Sequence, residues 1–295
     1  MQIPAAFEYA RADSIDHALQ LLAEHGPESR VIAGGHSLLP MMKLRLASPE
    51  WLIDINDLTD LEHITEDGDW LRIGALTRHV TLLESDIVAG HFPIVRDAEK
   101  TIADPLVRNR GTIGGSLCQA DPAEDLSTVC HVLRAELVIR GPNGDRTVPM
   151  KELHRGPYET SVEPNEILTE IRWPIRAGSS SAYTKVERRV GDWATAASGA
   201  SVTMGSDGQI EDLSIGLTAV GLDGSTATRA ADAVRGQQPS EELYAEAGRL
   251  AAEDCNPVAD QRGTEAYKRH LADELTRRVL RKAVERVMST AEAGS

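Results

Sequence analysis

Apolar positions along this chain recur at helical spacing in some segments and in short continuous runs in others, which predicts a mixed α and β protein. An apolar helical face recurs over 14–26, between a serine N-cap and a glycine stop. Short apolar runs over 30–33 and 51–55 predict strands. A helix is predicted over 38–46, so a glycine-rich segment falls where a strand gives way to a helix.

The middle of the chain continues this alternation. Strands are predicted over 70–74, 136–140 and 166–173, and a helix over 93–103. Another apolar helical stripe runs from Leu126 to Leu133. We predict that Asp121 caps this helix and that Pro122 occupies its first position.

A polar stretch over 176–181 is predicted to be flexible and to separate two domains. Strands over 182–188, 200–204 and 211–220 follow it, and then helices over 227–235, 241–253 and 264–287. The turn residues Gly205–Gly208 predict a hairpin between the last two strands.

The charge balance restricts the class of partner. The 295 residues carry 31 basic and 46 acidic side chains, a net charge of -15, which disfavours nucleic acid as a ligand. The three cysteines form no metal-binding pattern and are typical of a reducing compartment. Without a signal peptide pattern or an apolar span, a cytoplasmic location is predicted, with docking at a membrane left open.

Two glycine-rich segments carry the candidate chemistry. The first glycine motif is residues 31–40, Val-Ile-Ala-Gly-Gly-His-Ser-Leu-Leu-Pro, and the second is residues 110–117, Arg-Gly-Thr-Ile-Gly-Gly-Ser-Leu. Backbone N–H groups of small residues can bind an anion, and two such motifs predict a ligand with a central diphosphate, such as a dinucleotide. A plain strand-to-helix turn explains the first motif equally well. It fits neither a P-loop nor the GxGxxG pattern, although Asp54 stands where a ribose-binding acid would.

Other side chains extend this hypothesis, each beside a structural alternative. Thr112 and Ser116 can bond phosphate oxygens, and Asp125 can bond a ribose or ribityl hydroxyl or simply complement a helix dipole. Lys185 can place a positive charge beside an electron-rich ring, where it would favour an anionic reduced flavin. Trp193 offers a face for stacking, but it could equally fill a core. No catalytic residue and no metal site is predicted.

At this point the sequence resembles a known family. Ala33-Gly-Gly-His-Ser37 and Thr112-Ile-Gly-Gly115 resemble the paired FAD-diphosphate motifs of the flavoprotein subunit of molybdenum hydroxylases, in particular the medium subunits of aerobic carbon monoxide dehydrogenases. The likeness extends to Ile102-Ala-Asp-Pro105, Gly191-Asp-Trp-Ala-Thr-Ala196 and Arg262-Gly-Thr-Glu-Ala-Tyr-Lys268.

The resemblance implies an α+β fold. An FAD-binding domain of two α+β subdomains, similar to the vanillyl-alcohol-oxidase fold, would span 1–177, with subdomains of about 1–57 and 58–177 and FAD between them. A small C-terminal α+β domain over 178–295 would contain a three-stranded antiparallel sheet and helices.

The resemblance also implies the site and the partners. The FAD contacts would be Ala33, Gly34, Gly35, His36, Ser37, Leu38, Thr112, Gly114, Gly115, Ser116, Asp125, Leu168, Lys185 and Trp193. The chain would join a small subunit with two [2Fe-2S] clusters and a large subunit with a molybdopterin-type molybdenum cofactor, in a dimer of heterotrimers. It would pass electrons to an external acceptor such as a quinone, and the complex could associate with the inner face of the cell membrane.

One residue departs from the pattern, because carbon monoxide dehydrogenases have tyrosine where Trp193 stands. The substrate stays open among carbon monoxide, a purine, an aldehyde and an N-heterocycle, since another subunit oxidises it. Two other interpretations also stay open: a self-contained flavin oxidoreductase, and a scaffold subunit without a cofactor in which the glycine motifs are turns.

Overall fold

The computed structural model describes residues 3–221 and 226–293. In chain order its elements are β1 (Glu8–Arg11), α1 (Ile15–His25), β2 (Ser29–Ile32), α2 (Leu38–Lys43), β3 (Trp51–Asp54), β4 (Ile64–Asp67), β5 (Trp70–Gly74), α3 (His79–Glu84), α4 (Asp86–His91), α5 (Pro93–Glu99), α6 (Pro105–Arg108), α7 (Ile113–Gln119), α8 (Asp125–Val132), β6 (Glu136–Gly141), β7 (Gly144–Pro149), β8 (His154–Gly156), β9 (Glu159–Thr160), β10 (Ile167–Pro174), β11 (Ser179–Glu187), β12 (Ala194–Met204), β13 (Ile210–Thr218), α9 (Thr228–Val234), α10 (Glu241–Asp254) and α11 (Glu265–Ala293). The mixed α and β composition predicted from the sequence is confirmed.

These elements form two compact units. Unit 1 comprises residues 3–81, 105–120 and 136–172, and unit 2 comprises residues 82–104, 121–135, 173–221 and 226–293. Both glycine motifs lie in unit 1, while Asp125 and Lys185 lie in unit 2. The division of the sequence at 177/178 stays a prediction.

Unit 1 contains a small parallel sheet that leads into the first glycine motif. Strands β1, β3 and β2 lie in that order, and β3 pairs in parallel with both neighbours. Helix α1 is capped as predicted, with the Ser14 hydroxyl accepting the N–H of His17 and Gly26 at a φ of 67°. Its buried Leu22 packs with Ile53 of β3 in one core cluster. The first glycine motif therefore leaves β2 from a well-ordered sheet.

A second sheet in unit 1 carries the residues that support the second glycine motif. Its strand order is β4-β5-β10-β6-β7, with β4–β5, β10–β6 and β6–β7 antiparallel. After β5 ends, the Ala75 N–H donates to the carbonyl of Thr169 in β10 at 2.9 Å. This bond fixes the position of Ala75, whose carbonyl accepts the N–H of Gly114 in the first turn of α7.

Unit 2 contains the three-stranded antiparallel sheet β11-β12-β13 expected from the resemblance. The hairpin after Met204 is confirmed by the antiparallel register of β12 and β13. Small residues on this sheet, among them Ala196 and Ala200, are buried with Leu275 and Val279 of α11 in one core. Their small side chains let the long helix approach the strands closely.

The prediction that Asp121 caps α8 is wrong. Its carboxylate accepts the N–H of Ala123 at 2.9 Å and its carbonyl accepts the N–H of Glu124 at 3.0 Å, so it closes a turn before the helix. The cap of α8 is Glu124, whose carboxylate accepts the N–H groups of Leu126 and Ser127, both at 2.7 Å.

Three other local predictions are also wrong. The polar stretch 176–181 is not wholly a flexible connection, since Ser179 already pairs with Thr203 in the antiparallel sheet. Helix α5 ends at Glu99, four residues before its predicted end. The helix predicted over 38–46 ends at Lys43. Its apolar stripe stops at the buried Met42, because Leu46 is 71% exposed.

Candidate functional site

The first glycine motif presents backbone donors that have no acceptor. Gly35 adopts a φ of 74°, and its carbonyl accepts the N–H of Leu39 at 3.0 Å, which starts a helical turn. In the part of the chain that the structure describes, no backbone or side-chain acceptor pairs with the N–H groups of His36, Ser37 and Leu38. Successive free N–H groups at the start of a helical turn can bind an anionic oxygen.

The backbone of the second glycine motif is used differently from the prediction. From Ile113 onward the motif forms the first turn of α7, and the Thr112 hydroxyl caps this turn by accepting the N–H of Gly115 at 3.1 Å. The N–H of Ile113 donates to Thr77, and that of Gly114 donates to Ala75 at 2.9 Å. These N–H groups are already satisfied within the chain, and the Ser116 hydroxyl lies 3.2 Å from a ring nitrogen of His79, so contact of this motif with a ligand stays a prediction.

The two motifs contact each other at Gly34. A Cβ built on Gly34 would lie 2.1 Å from the carbonyl oxygen of Arg110 and 2.8 Å from the Cα of Gly111. Only glycine fits there, because both neighbours are backbone atoms. The two motifs, which together predict a ligand with a central diphosphate, therefore lie in contact within unit 1.

Two residues that the sequence interpretation missed support this contact. The Asn56 side-chain N–H donates to the carbonyl of Ala33 at 2.6 Å, and its amide oxygen accepts from the Arg78 guanidinium at 3.0 Å. Arg78 also donates to the carbonyl of Arg110. Burial lowers the pKa of Arg78, and the nearby charge of Arg110 lowers that pKa further. Neither residue belongs to a glycine motif, so no local sequence pattern marks them.

The carboxylate of Asp54 is occupied by its own neighbours. One oxygen accepts the Tyr9 hydroxyl at 2.7 Å, and the other accepts the backbone N–H and side-chain N–H of Asn56 at 2.8 and 2.7 Å. These bonds lower the pKa of Asp54 although burial opposes them. Asp54 orients Asn56, and its position about 20 residues after Gly34 reflects this role.

In unit 2, the predicted contacts Asp125 and Lys185 form a buried ion pair. The Lys185 ammonium lies 2.9 Å from Asp125 and 3.3 Å from Glu187, and its side chain is 1% exposed. It also donates to the carbonyls of Thr101 at 2.9 Å and Asp192 at 3.1 Å. An ammonium has three N–H donors, so these four acceptors saturate it. Lys185 is therefore not a free charge, and it fixes the turn before Trp193.

Other buried polar groups surround this pair. The Tyr183 hydroxyl donates to Asp125 at 2.7 Å. Burial raises the pKa of Asp125, while the Lys185 ammonium and the Tyr183 hydroxyl oppose that rise. Burial also raises the pKa of Glu124 to about 7 against its bonds from Ser127. The cluster thus combines one ammonium with carboxylates in a site that excludes water.

The remaining predicted contacts have distinct environments. Trp193 is 42% exposed, on a turn whose Gly191 has a φ of 79° and packs against the carbonyl of Ala103. His36 is exposed, and its ring nitrogen lies 2.9 Å from the carbonyl of Gly34. Leu168 is 5% exposed on β10 and pairs with Ile139 of β6. Contact of these side chains with a cofactor stays a prediction.

Comparison with known proteins assigns the chain to a family. A family model described as the FAD binding domain in molybdopterin dehydrogenase matches residues 5–176, and the CO dehydrogenase flavoprotein C-terminal domain matches residues 181–283. The chain belongs to this family of FAD-binding flavoproteins and is an oxidoreductase subunit. The family resemblance of the two glycine motifs is confirmed.

Individual relatives match over nearly the full length. The carbon monoxide dehydrogenase medium chain of Hydrogenophaga pseudoflava is 41% identical over 283 residues, which is 95% of this chain and 98% of that one. That of Afipia carboxidovorans is 40% identical over 291 residues, 98% and 99% of the two chains. A solved carbon monoxide dehydrogenase structure from H. pseudoflava matches with a TM-score of 0.92 and 41% identity, covering 96% of this chain and 99% of that one.

The residues of unit 1 fit the diphosphate of FAD. The first glycine motif supplies free N–H groups, Gly34 lets the second motif pack directly against it, and the guanidinium groups of Arg78 and Arg110 add positive charge nearby. Within the described ranges no helix is long and apolar enough to cross a membrane, and no cluster of three or more His, Cys, Asp or Glu residues could hold a metal.

Proposed function

We propose that this chain carries FAD as the electron-transfer subunit of a molybdenum-containing dehydrogenase, with carbon monoxide as the substrate of the partner. The single observation that carries this proposal is the convergence of the two glycine motifs at Gly34, in a chain that matches carbon monoxide dehydrogenase medium chains over nearly its full length. A small subunit with two [2Fe-2S] clusters would deliver electrons, a large subunit would hold the molybdenum cofactor, and the assembly would be a dimer of heterotrimers.

Bound FAD supplies both one-electron and two-electron redox chemistry, which suits a carrier between iron–sulfur clusters and a quinone. The chain's own residues bind and orient this group. The N–H groups of His36, Ser37 and Leu38 hold the diphosphate, and Arg78 and Arg110 favour its negative charge.

The buried cluster in unit 2 has a structural role. Lys185 is fully engaged by Asp125, Glu187, Thr101 and Asp192, so its contribution is to hold the turn that presents Trp193. A tryptophan at this position stacks without the hydroxyl of the family's tyrosine. The indole N–H of Trp193 is still a hydrogen-bond donor, so only the phenol hydroxyl is lost at this position.

The experiment is purification of the chain from its native host with whatever accompanies it. We expect flavin and iron–sulfur absorbance, two partner chains, bleaching of the flavin band by carbon monoxide, and recovery of that band with a water-soluble quinone. Bleaching by a purine, an aldehyde or an N-heterocycle instead would assign another substrate.

Other outcomes would contradict the proposal more deeply. Recovery of the band with NAD⁺ but not with the quinone would exclude the quinone as acceptor. Turnover of a small substrate by the isolated chain would indicate a self-contained flavin oxidoreductase. A colourless chain that takes up no FAD would indicate a scaffold subunit.

A further inference from the structure

Two side chains outside the glycine motifs connect one motif to the other within unit 1. Asn56 donates to the carbonyl of Ala33 at 2.6 Å, where the first motif begins its turn. Arg78 donates to the carbonyl of Arg110, at the start of the second motif. The Arg78 guanidinium also donates to the Asn56 amide oxygen at 3.0 Å. We call this chain of hydrogen bonds the Asn56–Arg78 bridge.

The side-chain chemistry of Asn56 suits this position. Its amide nitrogen lies 2.6 Å from the Ala33 carbonyl and 2.7 Å from an oxygen of Asp54, both of which are acceptors. Its oxygen faces a guanidinium, which is only a donor. The surrounding groups therefore determine the orientation of the amide. Aspartate at 56 would lose both donated bonds and could not replace it.

Arg78 contributes geometry and charge together. Its planar guanidinium reaches two acceptors at once, the Asn56 amide oxygen and the Arg110 carbonyl, which a lysine ammonium does less readily. Both hydrogen-bond acceptors are neutral, while the charges of the Glu62 and Asp54 carboxylates raise the pKa of Arg78. Burial and the charge of Arg110 outweigh these two carboxylates and lower the pKa of Arg78, so the half-buried cation costs free energy. A diphosphate bound at the adjacent motif would offset that cost.

We propose that the Asn56–Arg78 bridge is a positioning device for the diphosphate-binding site. It holds the two glycine motifs at the separation that Gly34 allows, so that the free N–H groups of the first motif face the ligand. This role of the bridge depends on the proposed function only for the identity of the ligand. Asn56 acts through the backbone of the motifs, Arg78 acts through that backbone and also adds positive charge beside the site, and neither is a catalytic residue.

The test measures binding of FAD and of ADP to the full chain freed of flavin. We expect Asn56→Ala and Arg78→Met each to raise the dissociation constants of both ligands by about 10- to 100-fold, as expected for the loss of a charge-assisted hydrogen bond. ADP carries the diphosphate without the flavin ring, so its dissociation constant should rise by the same factor as that of FAD. The double variant should bind no more weakly than the weaker single variant, because each change breaks the same bridge.

Arg146→Met is the matched control. Arg146 also lies in unit 1 and donates to a backbone carbonyl, that of Ser161 at 2.6 Å, and to Glu166 at 2.8 Å. It should leave both dissociation constants unchanged. Arg78→Lys retains the charge, and it should bind FAD better than Arg78→Met but less well than the unmodified chain.

Hydrogen exchange of the flavin-free chain gives a readout that does not depend on binding. The hydrogen-bonded amides of Leu39, Met41 and 113–116 should exchange faster in Asn56→Ala and Arg78→Met but not in Arg146→Met. Unchanged exchange in these segments, an equal loss in the control, or a loss for FAD without a loss for ADP would each overturn the bridge. If the unmodified chain binds neither ligand, the proposal that it carries FAD is refuted. The exchange data would still test whether the Asn56–Arg78 bridge holds the two motifs in place.

Discussion

Gly34 has no room for a side chain, which makes Gly34→Ala a sharp test of how the two motifs form one site. The added Cβ would lie 2.1 Å from the oxygen and 2.7 Å from the carbon of the Arg110 carbonyl. Favourable contacts of this kind need about 3.5 Å, so the motifs must separate by roughly 1 Å. No rotamer relieves the contact, because both partners are backbone.

The magnitude follows from two separate costs. Overpacking of this kind destabilises a protein by about 1–3 kcal/mol, which a domain with a typical stability of about 5–15 kcal/mol survives. A shift of the first motif by this distance removes at least one hydrogen bond between an N–H group and the diphosphate. Such a bond to a charged group contributes about 1.5–3 kcal/mol, so the dissociation constant of FAD should rise by about 10- to 100-fold.

The assay is calorimetric titration of the flavin-free chain with FAD, together with urea unfolding to confirm that the variant is folded. Gly90→Ala is the control, since a Cβ at Gly90 meets nothing within 4 Å. We expect this helical substitution to leave binding unchanged and to raise stability slightly. A folded Gly34→Ala chain that binds FAD as tightly as the unmodified chain would refute the reasoning that the motif contact shapes the site.

Three further predictions concern stability. Thr112→Ala should cost about 1 kcal/mol in urea unfolding by removing the cap of α7, and Thr112→Ser should restore most of it; equal losses in both would contradict the cap. Lys185→Met should cost about 3–5 kcal/mol by leaving buried carboxylates unpaired, while Lys282→Met, at a side chain 41% exposed, should cost below about 1 kcal/mol. For Glu124, burial raises the pKa from 4.5 to about 7, so the folded state binds more protons than the unfolded state between these values and stability falls as pH rises through this window by about 3 kcal/mol. In Glu124→Gln this decline should be much smaller in urea unfolding curves at pH 5 and pH 7.5, with the remainder from the raised pKa of Asp125, and a decline of the same size in the variant would exclude Glu124 as its source.

Local sequence signals predicted the elements whose determinants lie close together in the chain. Ser14 and Gly26 delimit α1 because an N-cap hydroxyl and a left-handed glycine act within one helical turn. The turn between β12 and β13 follows from Gly205–Gly208 for the same reason. Asp121 shows the limit of this approach, because Glu124 competes for the same role and burial of its carboxylate was invisible in the sequence.

The candidate site depended on contacts over longer separations. Both glycine motifs were identified from the sequence, yet only the structure shows that the N–H of Gly114 is taken by Ala75 while those around Ser37 stay free. Lys185 was predicted to place a positive charge beside the cofactor, and that contact stays a prediction. Its partners Thr101 and Asp125 are distant in sequence, so only the fold reveals that it is saturated.

The sequence by itself determined the family, the placement of the glycine motifs and most helices and strands, because capping, turn and periodicity signals act over a few residues. Tertiary structure alone decided that Gly34 contacts Arg110, and that Asn56 and Arg78 connect the two motifs. It also decided which backbone N–H groups remain free to bind an anion. The physical reason is that a hydrogen-bonding group is available to a ligand only if no folded neighbour satisfies it, and those neighbours come from segments that the chain brings together only on folding.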